Sequence, residues 1–274
     1  MSGTFYVIGT PIGNLDDITI RQLDTLKAVD FICAEDTRVT LKLLNRFEIK
    51  KQLISFHEHS SKADAQRIID RLAAGDSCGI VTDAGMPCIS DPGEVLVKMC
   101  AENGIDIRVV PGPSAVVSAV AVSGLSTRRF TFEGFLPVPK KERAERLEKL
   151  RGETAVMVFY EAPHKLKTTL ADLAEFFGGE RKISLCRELT KIHEEVLRLT
   201  LAEAVEYYNV NEPKGEFVLV LEGAQDNEDG ELTIEEAMEQ VRKLIDMGEK
   251  PTEACKAVAK ETGFRKSELY AQLN

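Results

Sequence analysis

The chain's 274 residues exceed what one compact core usually holds and suit two α/β lobes with a small appendage. Hydrophobic residues at 43% and charged residues at 29% exclude wholesale disorder and collagen-like or fibrous folds. A formal net charge of -10 excludes indiscriminate nucleic-acid binding through bulk charge, so any such partner must meet a local basic patch.

Residues 1–8 run into an apolar strand with no basic segment ahead of it, so no signal or transit peptide is expected and a cytoplasmic address follows. Strands are predicted at 4–9, 30–34, 78–82 and 105–110, with Ala65, Ile68, Ile69 and Leu72 marking one helical face between them. The stretch 109–127 carries no charge, but Pro111, Gly112 and Pro113 break it, so it reads as a turn and a buried helix rather than a membrane span. A second series of strands is predicted at 130–135, 155–160, 182–186, 195–200 and 216–222, its best helix marked by Leu166, Leu170, Leu173 and Phe177. Alternation of this kind predicts an α/β fold of two lobes with mainly parallel sheets. The expected division is 1–124, 125–224, and an acidic linker with a helical tail over 225–274. In that tail, a helix starting at Pro251 and a closing segment 265–273 give a helix-turn-helix outline. The six cysteines form no CxxC pair, so separately buried, reduced thiols and no metal site are expected.

Three glycine- and proline-bearing loops follow strands of the first lobe, at 9–14, 82–93 and 111–115. Ligands of open α/β sheets sit beyond the carboxyl ends of strands, where glycine lets backbone come close, so all three loops are expected to line one cleft. None matches a Walker or G-x-G-x-x-G signature, which disfavours a nucleoside triphosphate.

These loops, together with Ala34-Glu35-Asp36-Thr37-Arg38, Phe159-Tyr160-Glu161-Ala162-Pro163-His164, Arg187-Glu188-Leu189-Thr190-Lys191 and Gly215-Glu216-Phe217-Val218, resemble the tetrapyrrole methylase superfamily. Within it they are similar to the branch that methylates the ribose 2′-oxygen of a cytidine in small-subunit (16S) rRNA. The resemblance covers residues 4–223 in order and implies an S-adenosyl-L-methionine (AdoMet) cleft between two lobes and a homodimer. It implies cofactor contacts at Pro11, at Asp83, Ala84, Gly85, Met86 and Ile89, at Ser114 and Ala115, and at Tyr160, Glu161 and Leu189. The usual Gly-Asp-Pro of the second loop is here Gly85-Met86-Pro87, which removes a carboxylate from position 86. A bulky side chain at Gly85 is expected to fill the space where backbone meets ligand.

The acceptor hydroxyl needs a base or an orienting group, for which Glu35, Asp36, Arg38, Arg187, Glu188 and Lys191 are candidates. RNA phosphates need cations, and the segment 128–151, with eight basic residues against four glutamates, supplies the clearest group: Arg128, Arg129, Lys140, Lys141 and Arg143. The tail, with seven basic and twelve acidic residues over 224–274, does not favour duplex DNA. A tetrapyrrole C-methylase and a non-catalytic AdoMet-binding ribosome-assembly factor are the alternatives. Pro163-His164 and the helical tail favour the RNA branch.

Overall fold

A computed structural model describes residues 2–224, 234–262 and 264–273, and the chain divides into two units, Met1–Gly223 and Ala224–Asn274. The opening strands are short apolar runs. Every residue of β2 (Phe31–Ala34) and β4 (Cys78–Val81) is buried, as expected of strands covered on both faces. With β1 (Thr4–Ile8), β3 (Gln52–Ser55) and β5 (Asp106–Val110) they form a five-stranded sheet of order β3-β2-β4-β1-β5, parallel throughout. Between the strands run α1 (Ile20–Ala28), α2 (Thr37–Arg46), α3 (Lys62–Ala73) and α4 (Glu94–Glu102). Helix α3 opens on a Ser61/Asp64 capping box and buries Ala65, Ile68, Ile69 and Leu72 against the sheet. The sheet order sets β4, β1 and β5 side by side, so the loops leaving their carboxyl ends meet.

Helix α5 (Ala115–Val122) follows this sheet in sequence but packs Val116, Ala119 and Val120 on Val156, Val158, Cys186, Val218 and Val220 of the second one. Burial on that face explains the uncharged stretch. By packing, the chain passes to the second lobe at residues 111–114, ahead of Gly124. The second sheet contains β6 (Phe130–Phe135), β7 (Val156–Glu161), β8 (Lys182–Arg187), β9 (Glu195–Thr200) and β10 (Phe217–Leu221) in the order β6-β7-β10-β8-β9. Helices α6 (Lys140–Leu150), α7 (Pro163–Phe177) and α8 (Leu201–Val210) cover its other face, where Leu147, Leu166, Leu170, Leu173 and Leu201 join the core. Pairing is parallel throughout the first sheet and between β6 and β7, in keeping with mainly parallel sheets, but not in the rest of the second. There β10 runs antiparallel to β7 and β8, and β8 to β9. The physical reason is connection length: residues 188–194 are too few for the crossover that a parallel β8–β9 pair would need.

All six cysteines are free thiols. They are not all separate, because Cys33 and Cys78 bring their Sγ atoms to 3.5 Å on adjacent strands, and burial pushes the Cys78 thiol well up. In the second unit, α9 (Ile234–Asp246), α10 (Pro251–Thr262) and α11 (Lys266–Ala271) share a core of their own that includes Met238, Val241, Ala254, Val258 and Leu269. The expected acidic linker falls largely on 225–233, outside the described residues. Among the described residues no helix is long and apolar enough to cross a membrane.

Candidate active site

Backbone hydrogen bonds staple the loops at the edge of the first sheet. Thr10 N–H donates to the Gly85 carbonyl at 2.8 Å, and Gly85 N–H returns the bond to Thr10 at 3.1 Å. Gly9 and Gly112 approach so closely that a Cβ on Gly9 would lie 2.7 Å from Gly112 Cα and 2.8 Å from Met86 Sδ. Buried Gln22, held in the α1 capping box, donates to the Gly9 carbonyl and fixes the same turn from below. The 82–93 loop carries two non-glycine residues in the left-handed region, Cys88 (φ 70°) and Ser90 (φ 59°). The 188–190 turn beyond β8 carries two more, Glu188 (φ 51°) and Thr190 (φ 66°). Such conformations cost about 1 kcal/mol or more each and persist only where the surroundings impose them.

Between the lobes these loops enclose a cleft of about 830 Å³, within the range of small-molecule sites. Asp83, Ala84, Gly85, Met86 and Ile89 line it from the second loop, and Ser114 and Ala115 from the third. Tyr160, Glu161 and Leu189 close it from the second lobe. Pro11 does not line this cleft. It belongs to a neighbouring hollow of about 200 Å³ with Thr10, Leu15, Val39 and Leu43, which adjoins the cleft through Thr82 and Asp83. Phe132 and Phe135, which pack on the Tyr160 ring with centroids 5.0 and 5.6 Å away, also line the cleft and carry no sequence signal. Asp91 does as well, and its only signal was membership of the long loop.

The six catalytic candidates separate. Glu35, Glu188 and Lys191 reach the cleft. Asp36 instead caps α2 and grips Arg38 through three contacts of 2.6–3.1 Å, which draws its carboxyl down to about 2. Arg187 pairs with Glu195 at 3.0 Å. Asp36, Arg38 and Arg187 are therefore ion-pair residues beside the cleft rather than in its wall.

Lys191 Nζ sits 2.8 Å from both Glu188 and Glu216. Burial opposes its charge, but the hydrogen bonds it donates to both carboxylates outweigh this and hold its pKa up, while the Lys191 ammonium holds Glu188 below the usual carboxylate range. A lysine so held donates hydrogen bonds and is no base. On the opposite wall Thr82 Oγ1 donates to Glu35 at 2.6 Å. Burial, and then the charge of Glu35, raises Asp83 and lifts Asp91 to about 6.

The basic segment also separates. Arg128, Arg129, Lys140 and Lys141 are exposed. Arg143, expected among the phosphate contacts, instead turns inward on α6 and is only 9% exposed. It donates to Asp172 at 2.5 Å and to Thr169 Oγ1 at 2.8 Å. The reason is helical phase: Arg143, Leu147 and Leu150 share the face that packs on the lobe.

The family model for tetrapyrrole (corrin/porphyrin) methylases matches residues 4–205. A protein from Synechocystis named ribosomal RNA small subunit methyltransferase I is 43% identical over 98% of this chain and 96% of its own length. A Thermotoga maritima protein of the same name is 49% identical over 223 residues, 81% of this chain and 100% of its own length. Among solved structures, uroporphyrin-III-C-methyltransferase of Thermus thermophilus has a TM-score of 0.56 at 20% identity, covering 80% of this chain and 94% of that one. Diphthine synthase has a TM-score of 0.60 at 13% identity, covering 81% of this chain and 90% of that one. Two α/β lobes around a shared cleft, matched in sequence almost end to end, assign the chain to the tetrapyrrole methylase family.

Proposed function

We propose that this methyltransferase moves the methyl group of AdoMet to the ribose 2′-oxygen of a cytidine in small-subunit rRNA. The observation that carries the reading is the cleft, whose chemistry suits that cofactor. AdoMet has no phosphates and bears positive charge on its sulfonium and ammonium groups. The cleft has Glu35, Asp83, Asp91 and Glu161 in its wall, and its lining lysine is already matched by Glu188 and Glu216. Backbone of 84–86 and 114–115, together with Met86, Leu189 and Tyr160, would hold the cofactor. When bound, AdoMet supplies an electrophilic methyl group.

The chain's own residues then hold the acceptor oxygen in line and take its proton. Asp91, half-buried and with Glu35 beside it, is the best-placed proton acceptor. Lys191, fixed by two carboxylates, orients rather than deprotonates. Exposed Arg128, Arg129, Lys140 and Lys141 offer a surface for RNA phosphates, and the reading carries with it a cytoplasmic site of action and a homodimer.

Small subunits lacking the modification, incubated with AdoMet and the protein and then digested to nucleosides, test the reading by mass spectrometry. The expected product is 2′-O-methylcytidine. A methyl on a base would refute the ribose chemistry, and methylation of a tetrapyrrole acceptor with none on rRNA would move the chain to the other branch of the family.

A further inference from the structure

Glu161, the last residue of β7, belongs to the cleft lining and is only 5% exposed. Burial of a carboxylate demands hydrogen bonds and positive charge nearby. Neither contact that Glu161 makes among the described residues is ionic. Ala162 N–H donates to Oε1 at 2.8 Å, and the Thr169 hydroxyl donates to Oε2. The charge stands one group further away. Thr169, itself 1% exposed, uses its single hydrogen on Glu161 and accepts from Arg143 Nη2 at 2.8 Å, while Arg143 Nε is anchored on Asp172. A hydroxyl can donate once while accepting from elsewhere, so donation runs outward from Arg143, to Asp172 on one side and through Thr169 to Glu161 on the other. The second arm runs from α6 through α7 to the end of β7. One helical turn along α6, Arg146 likewise reaches back to Glu133 on β6, beside the cleft-lining Phe132.

We propose that Arg143, acting through Thr169, is a positioning residue for the cofactor: it fixes the Glu161 carboxylate in one orientation, with its remaining lone pairs free for donors of AdoMet. This rests on the reading of the cleft as the AdoMet site. Arginine suits the task because its planar fork serves Asp172 and Thr169 at once, which a lysine cannot do from the same stem. Basic residues on α6 thus have two duties: Lys140 and Lys141 face solvent, and Arg143 serves the cleft from behind.

Calorimetric titration with AdoMet, a crystal structure without added cofactor, and a mutant cycle test the proposal. Thr169→Val, which keeps the shape and deletes the hydroxyl, should weaken AdoMet binding about tenfold, as should Arg143→Lys, the expected loss for a disturbed charge-assisted contact. Thr169→Ser should restore affinity to within about twofold of wild type, a rescue that bulk alone would not give. In a Glu161→Gln background Thr169→Val should cause little further loss, and KM for the small subunit should stay unchanged while KM for AdoMet rises. The Thr169→Val crystal structure should show Glu161 turned away from its wild-type position. Wild-type affinity in Thr169→Val, or full additivity with Glu161→Gln, or an unmoved Glu161 carboxylate, would overturn the proposal. Failure of the wild-type protein to bind AdoMet would instead overturn the reading of the cleft and remove this role with it.

Discussion

Asp91 shows how a single carboxyl links the cleft to stability. Its folded pKa of about 6 lies above the ordinary 3.8 because burial and Glu35 disfavour its charge. The folded state is therefore penalised as Asp91 ionises: stability falls as pH rises from about 4 to about 6 and stays lower above that. Asp91→Asn should raise unfolding free energy by about 1 kcal/mol at pH 8, after allowance for solvent screening, and by nothing below about pH 4. Thermal melts across that range read the effect. The same variant should lose methyl transfer, and the wild-type rate should decline as pH falls through about 6. Glycines separate by their cause. Gly9→Ala forces a Cβ into the Gly112 backbone and should cost about 2 kcal/mol together with AdoMet binding. At Gly85 a Cβ would lie 3.5 Å from Ile12 Cγ2, ordinary contact within the protein, so its cost to folding is conformational and is separate from the cleft space that a bulkier side chain there would take from a ligand. Its φ of 88° makes Gly85→Ala cost about 1 kcal/mol. Urea denaturation that ranked Gly85→Ala above Gly9→Ala would contradict this assignment.

Helix α6 is the element on which sequence and structure part most clearly. Its eleven residues include eight charged ones, and composition alone treats its cations alike. In the fold, Arg143 is buried, Arg146 is paired with Glu133, and Lys140 and Lys141 remain in solvent. Replacing Lys140 and Lys141 together by Gln should reduce the slope of log K for RNA against log salt by about 1.5, with AdoMet affinity unchanged. Filter binding over a salt series decides, and an unaltered slope would make α6 a solvated helix. At the neighbouring elements, strand β3 escaped prediction because its residues are polar or half-exposed at a sheet edge. The antiparallel β8–β9 pair was legible in principle from the short 188–194 connection, yet strand period says nothing about direction.

For the molecule as a whole, every residue lining the cleft lies between Ile12 and Val218, and the second unit has its own apolar core. A protein ending at Gly223 should therefore fold cooperatively and bind AdoMet within about twofold of the full chain, whatever it loses toward the ribosomal subunit. Calorimetry and thermal melting of that truncation check the point, and a failure to fold would show that the units depend on each other. Homodimer formation is the remaining expectation. Val109, Val117, Phe130 and Val138 are exposed by 40% or more, apolar side chains that pairing with a second copy would cover. Light scattering at working concentration should give twice the chain mass, and a fully active monomer would refute it.

What the sequence by itself determined is whatever local pattern encodes. The period of Ala65, Ile68, Ile69 and Leu72 specified a helix and its buried face. The all-apolar β2 and β4 specified a covered sheet. The seven ordered motifs, glycines among them, specified the family. Tertiary structure alone decided which of those motifs share a wall. The placement of β4, β1 and β5 side by side gathers three loops, while the β7, β8 and β10 edges bring Tyr160, Glu161 and Leu189 opposite them. It also decided that Pro11 belongs to a neighbouring hollow, that Asp36, Arg38 and Arg187 spend their charge on partners, and that Arg143 faces the core. The reason is that a side chain's period follows from its own neighbours in sequence, whereas its partner is set by strand order and helix phase, which depend on contacts between residues far apart in the chain.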